Sequence, residues 1–287
     1  MLSKPLFAVL PEFQSKYLEY IEAGQNYLKD KHIIFAGLAR NLSNSLKTNI
    51  EQLDKIRATC GKLSYFVYEN DSSDNTPEQL ELLHKTISGF NYVSEKLDLA
   101  AFTKENPSLL KSQNRTSALA KHRNFCIEYI QQNYEDVDYV VVIDLDFQKF
   151  SLDGLMNSFG WMQQEHQIKA IAGNSFEIKF IHTLGHQNLW NYDCWAYRGS
   201  WWEDLQAQYE YYHYDPMLWF GLWQPPIGSP PIKVNSAFGG STIYKSSAFL
   251  SGKYEGYDCE HVCFHKNLYS LLPDFDLRIN PSQIMLF

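Results

Sequence analysis

The chain has 287 residues, 45% of them hydrophobic and 20% charged, with a formal net charge of -8. That length and composition suit one large α/β domain or two small ones in an ordinary globular protein. The acidic balance argues against a nucleic-acid binder that works by neutralising phosphates.

Residues 11–29 read as an amphipathic helix with an apolar stripe of Phe13, Tyr17, Tyr20, Ile21 and Leu28. His32 to Leu38 reads as a short strand that ends at Gly37. A helix from Leu42 to Ala58 follows, with Asn41 or Ser43 as its cap. Leu63 to Tyr68 is the second strand, and it stops at the polar turn Glu69-Asn-Asp-Ser-Ser-Asp74. Pro77 suits the first turn of the next helix, capped by Asn75 or Thr76. Residues 91–97 make a weaker third strand, and Arg115 to Asn133 a long helix. That helix feeds Tyr139-Val-Val-Val-Ile-Asp-Leu-Asp146, an apolar run of β-branched residues ending in two aspartates. Such a run reads as a strand buried on both faces. The β-α-β-α-β-α-β alternation implies a parallel sheet with right-handed crossovers. Ligands of such sheets bind beyond the carboxyl ends of the strands. Three polar clusters share that edge: Gly37-Leu-Ala-Arg40, Glu69 to Asp74, and Asp144 to Asp146.

The second half changes character. Trp190, Trp195, Trp201, Trp202, Trp219 and Trp223 are interleaved with tyrosines and followed by a proline-rich loop from Gln224 to Pro231. Aromatic residues of this kind are large core residues. Five scattered cysteines, Cys60, Cys126, Cys194, Cys259 and Cys263, form no C-x-x-C pair and imply reduced thiols in a cytosol-like compartment. Cys259 and Cys263 beside His261 and His265 have zinc-like spacing, but a structural zinc site needs a further ligand pair and none stands out. Glu12, Lys16, Glu19 and Glu22 interrupt every apolar run near the N-terminus, which excludes a signal peptide. No segment reaches the roughly 18–20 apolar residues a membrane span requires. The expectation is a cytoplasmic protein, with peripheral membrane attachment left open.

Asp144 and Asp146 alternate onto one side of their strand, and two adjacent carboxylates repel unless a cation or donor cluster lies between them. A hard divalent ion is the simplest partner, and phosphate its usual second guest. Downstream stand Ala237-Phe-Gly-Gly-Ser241 and Tyr257-Asp-Cys-Glu-His261; upstream stand Arg115 and Ala120-Lys-His-Arg-Asn124. In this order the motifs resemble those of the GT-A glycosyltransferases, nucleotide-sugar-dependent enzymes of the family-2-like kind. The resemblance spans residues 32 to 265. It departs from the common pattern at Asp258-Cys-Glu260, which is not a plain E-D pair, and in the aromatic block.

The resemblance implies a Rossmann-like, mostly parallel sheet flanked by helices, forming a single domain. Residues 1–31 would be a helical extension, 32–150 the nucleotide-sugar half and 151–287 the acceptor half. It implies transfer of a hexosyl or deoxyhexosyl group from a nucleoside diphosphate sugar to a hydroxyl of a glycan or glycoconjugate. Asp146 and Asp144, with His261 or His265, would hold Mn²⁺ or Mg²⁺, a Lewis acid for the leaving diphosphate. Arg115 and Arg123 lie about two helical turns apart and would contact that diphosphate from one helix face. Arg40, Glu69, Asn70 and Asp71 would meet the base or ribose, although an Asp/Ser turn capping a helix uses the same residue types. Gly239 and Gly240 would admit the sugar or acceptor closely, or form an ordinary turn. Aromatic rings with polar tips suit the faces of pyranoses, so one or two of the tryptophans are expected at the acceptor groove, Trp195 among them. Glu260, or Asp258, is the expected general base of an inverting displacement. A nucleotidyltransferase would share the sheet, but only Gly37 stands where its Gly-rich loop belongs. A non-catalytic carbohydrate- or nucleotide-binding module is the other rival.

Overall fold

The computed structural model describes residues 8–97, 111–181, 186–200 and 220–287. Helix α1 (Pro11–Tyr27) carries its proline in the first turn, where a missing N–H costs nothing. Strand β1 (His32–Ala39) crosses through α2 (Leu46–Asp54) to β2 (Lys62–Asn70), then through α3 (Thr76–Thr86) to β3 (Phe90–Glu95). The long α4 (Lys111–Asn133) leads into β4 (Tyr139–Asp144), the apolar run with the aspartates at its end. Next come β5 (Lys149–Phe150), α5 (Leu152–Gln164), β6 (Ala170–Ala172), β7 (Phe176–Ile181), β8 (His186–Asn191) and β9 (Arg198–Gly199). The chain ends with β10 (Ile232–Ser236), β11 (Ser241–Lys245), α6 (Ser246–Phe249), α7 (Glu260–Leu271), β12 (Leu277–Ile279) and β13 (Met285–Leu286).

Among the described residues, nine strands form one sheet in the order β3-β2-β1-β4-β11-β6-β12-β10-β9. The first four are mutually parallel, as the predicted alternation requires. Beyond them β6 and β12 pair in parallel, while β11 runs antiparallel to both β4 and β6. A smaller sheet, β5-β13-β7-β8, stands beside it. Together these elements make the expected large, helix-flanked α/β sheet, with the antiparallel pairings confined to its second half.

Alternation along β1 and β4 divides the interior. Ile33, Phe35, Val141 and Ile143 join one core with α1, α2 and α5, while Ile34, Ala36, Val140 and Val142 join another with α4 and α7. Asp144 continues the second set and so turns toward α4 and α7. Helix α1 is no loose extension. It crosses α5 so closely that a Cβ on Gly24 would lie 1.9 Å from the Met156 carbonyl oxygen, and one on Gly160 2.0 Å from that of Tyr20. Tyr20 stacks on Trp161 at the same crossing. No helix among the described residues is long and apolar enough to cross a membrane.

The expected helix caps are corrected. Ser45, not Asn41 or Ser43, precedes α2, and it makes no side-chain cap bond. Asn75 precedes α3 without capping it; the Thr76 N–H and hydroxyl donate instead to Asp74. Asp74 also accepts from the Ser43 N–H, and Asn41 accepts from the Ser73 N–H. These polar residues brace two neighbouring crossover turns against each other, a use that outcompetes conventional capping.

Candidate active site

The site grows from the register of β4. Leu38 of β1 pairs with Asp144, and Asp144 donates its N–H to the Gly240 carbonyl at 2.8 Å. Gly239 and Gly240 have φ of 56° and 73°, the left-handed region glycine adopts most readily. Their turn begins β11 beside the carboxyl end of β4, because β11 is antiparallel there. The glycines therefore shape the wall; they do not line the cavity that forms in front of Asp144.

That cavity, of about 130 Å³, is lined by Asp144, Arg115 and Arg123 from α4, and Glu260 and His261 from α7. Tyr192, Asp193 and Trp195 close it from the segment after β8. Arg123 is 6% exposed and sits between two carboxylates: its Nε donates to Glu260 Oε1 at 3.1 Å, and its Nη2 lies 3.5 Å from Asp144 Oδ1. Burial opposes its charge, but Glu260 and Asp144 outweigh that and hold the guanidinium protonated. The Asp144 carboxyl is pushed up to about 6, first by burial and then by Asp146 and Glu260, against the pull of Arg123 and the Tyr192 hydroxyl. That hydroxyl donates to Asp144 Oδ2 at 3.1 Å, and the Tyr192 ring is held by stacking on Phe287.

Several predicted residues are placed elsewhere. Glu69 is 1% exposed and outside the cavity lining, and its carboxylate accepts from the Ser72 N–H and the Ser94 hydroxyl. Asp71 accepts from the Leu97 N–H and from the Asn70 amide, which uses that pair to hold the turn. Arg40 is exposed at the end of β1 and lies outside the cavity lining. Asp258 is bound to the fully buried Arg198 at 2.9 Å, which anchors the start of α7 and leaves it out of the cavity. His265 is fully buried, with its ring nitrogens engaged by Ser236 and Tyr244, so it has no free lone pair for a metal. Trp201, Trp202 and Trp219 lie outside the described residues.

His261 is different. It is 2% exposed and stacked on Phe238, and neither ring nitrogen has a hydrogen-bond partner. Burial, with Arg123 nearby, holds it neutral.

Among the described residues no group of three or more His, Cys, Asp or Glu side chains is arranged to hold a metal ion. Asp144 and exposed Asp146 nevertheless offer hard oxygen donors at one strand end. Magnesium-like ions commonly take one or two carboxylates and complete their shell with substrate phosphates. The donor set fits such a shared ion and does not fit a closed protein cage.

Asp193 and the supporting Tyr192 were not anticipated as site residues. The only sequence signal was an acidic residue embedded in the aromatic block. Asp193 follows a strand of the smaller sheet and reaches the cavity by tertiary packing alone. Burial, then Asp144 and Glu260, raise its carboxyl well above the usual carboxylate range.

A nine-stranded sheet of this order, with an acidic pair at the carboxyl end of its central parallel strand, defines a GT-A glycosyltransferase fold. The chain belongs to the family described as Cryptococcal mannosyltransferase 1, whose family model matches residues 32–269. Among solved structures it is similar to GalNAc-T7 with UDP, GalNAc and Mn²⁺, at a TM-score of 0.52 and 12% identity, over 98% of this chain and 53% of that one. It is also similar to the mannosyltransferase PcManGT of Pyrobaculum calidifontis in complex with GDP-Man and Mn²⁺, at 0.49 and 13%, over 96% and 65%. A third is S. aureus TarS 1-349 in complex with UDP, at 0.49 and 10%, over 90% and 60%. The chain thus spans about half to two thirds of these relatives, and at such identities the likeness concerns the fold. No curated protein matches the chain.

Proposed function

We propose that this protein transfers a hexosyl group, of mannosyl type, from a nucleoside diphosphate sugar to a hydroxyl of a glycan or glycoconjugate. The observation that carries the reading is the cavity at the end of β4, where Arg123 is clamped between Asp144 and Glu260. Arg115 is exposed at the same cavity and supplies a second guanidinium for the diphosphate. Asp144 and Asp146 would hold Mn²⁺ or Mg²⁺, which offsets the charge developing on the leaving diphosphate. The family description supports mannose as the transferred sugar.

Glu260 is the proposed base for an inverting transfer. It lines the cavity, and the carboxylate oxygen that Arg123 Nε does not engage faces the Cys259 thiol. Replacing it by Gln keeps its shape and removes the basic lone pair. Turnover of E260Q should fall roughly 10²-fold or more, the scale of general-base loss, with donor affinity little changed. Near-normal turnover would remove Glu260 from the chemistry, and a product with the donor's anomeric configuration would make the transfer retaining.

The reading as a whole is tested by titrating nucleotide sugars and free nucleoside diphosphates with and without Mn²⁺, followed by assay of nucleotide release with glycan acceptors. Binding and release of nucleotide from a nucleotide sugar is the expected result. Absence of binding to any of them with Mn²⁺ present would overturn it.

A further inference from the structure

We infer that Asp193 anchors the hydroxyls of the hexose carried by the donor and so fixes which end of the donor enters the cavity; this rests on the glycosyltransferase reading above. Asp193 lines the cavity with Asp144, Glu260 and Trp195. Its backbone is left-handed, φ 61° and ψ 40°, a region that Asp enters more readily than most residues with a side chain. The carboxylate oxygen Oδ2 is shielded from solvent and has no hydrogen-bond partner. Buried polar atoms are nearly always paired, and an unpaired one calls for an explanation.

Local roles do not supply it. Asp193 heads the short 3₁₀ turn Cys194–Ala196, yet its side chain makes no cap bond; its backbone carbonyl accepts the Ala196 N–H instead. Arg123, the buried cation of the cavity, is already held by Glu260 and Asp144. A carboxyl brings no positive charge to a phosphate, so Asp193 does not mark the diphosphate end of a ligand. It can exchange hydrogen bonds with sugar hydroxyls, while the indole of Trp195 in the same wall offers a surface for an apolar sugar face. Exposed Arg115 suits the phosphates. The donor therefore enters sugar first, with the nucleotide outward.

The test uses matched probes. GDP-mannose and UDP-glucose, with GDP and UDP as their sugar-free counterparts, are titrated with Mn²⁺ into wild type, Asp193→Asn and Asp193→Gly. Asn tolerates the left-handed backbone and keeps the shape; Gly keeps the backbone and removes the side chain. Both variants should bind the preferred nucleotide sugar at least tenfold more weakly and its sugar-free nucleotide as wild type does. Equal losses for both probes, or no loss for either, overturn the assignment, and melting curves show whether equal losses come from a disturbed fold. A wild-type protein that binds no nucleotide sugar overturns the glycosyltransferase reading and this inference with it.

Discussion

Arg123 shows how one side chain can hold a site together. It is buried between Glu260 and Asp144, so Arg123→Ala would strand a carboxylate that is only 4% exposed. Removing one partner of a buried pair costs about 3–5 kcal/mol, a loss visible in denaturant melts. Arg115→Ala, on the exposed part of the same helix, should stay within about 0.5 kcal/mol of wild type and weaken nucleotide binding instead. A wild-type-like melt for R123A would show that the clamp contributes little. Asp144 makes the protein's stability depend on pH. Its carboxyl is raised to about 6 in the folded chain, above its value of 3.8 when free of the fold. The stability it contributes is full below pH 4 and is lost as pH rises through 6. Asp144→Asn should flatten that part of a melting-temperature profile, and an unchanged slope would assign it to other groups. Residue types alone could flag Asp144, Arg123 and Glu260, because each belongs to a charged motif and the motifs stand in a fixed order along the chain. They could not show that Glu69 and Asp71 also brace their own turn, since turns and ligands recruit the same acceptors for the same chemical reason.

At the scale of elements, the four parallel strands were legible because short apolar runs alternate with helical segments, most clearly in the β-branched run of β4. The smaller sheet was not. Its strands β5 and β13 are two residues long and pair across more than a hundred positions, so no local period announces them. The loop bracing by Asp74 was missed because it joins two turns about thirty residues apart. Asp74→Ala frees the Ser43 N–H and both Thr76 donors. The melting temperature should drop while the E260-centred cavity keeps its nucleotide affinity. An equal loss of affinity would mean that these turns also shape the donor site.

Across the whole molecule, the family match at 32–269 is shorter than the structural unit. Strand β12 lies beyond it yet fills the sheet between β6 and β10, and Phe287 supports the tyrosine that holds Asp144. Before it, α1 buries Tyr20 and Ile21 against α5. A 32–269 fragment should therefore lack a cooperative melt and native near-ultraviolet dichroism; retention of both would make the flanks dispensable. The α1–α5 crossing carries a further consequence for genetics. A side chain at Gly24 or Gly160 would strike main-chain atoms, so no second substitution can make room for it. Gly221 presents the opposite case, since its obstruction is the Trp190 ring, 2.2 Å away. A selection for suppressors should recover Gly221→Ala together with smaller residues at 190, while Gly24 and Gly160 variants should revert only to glycine.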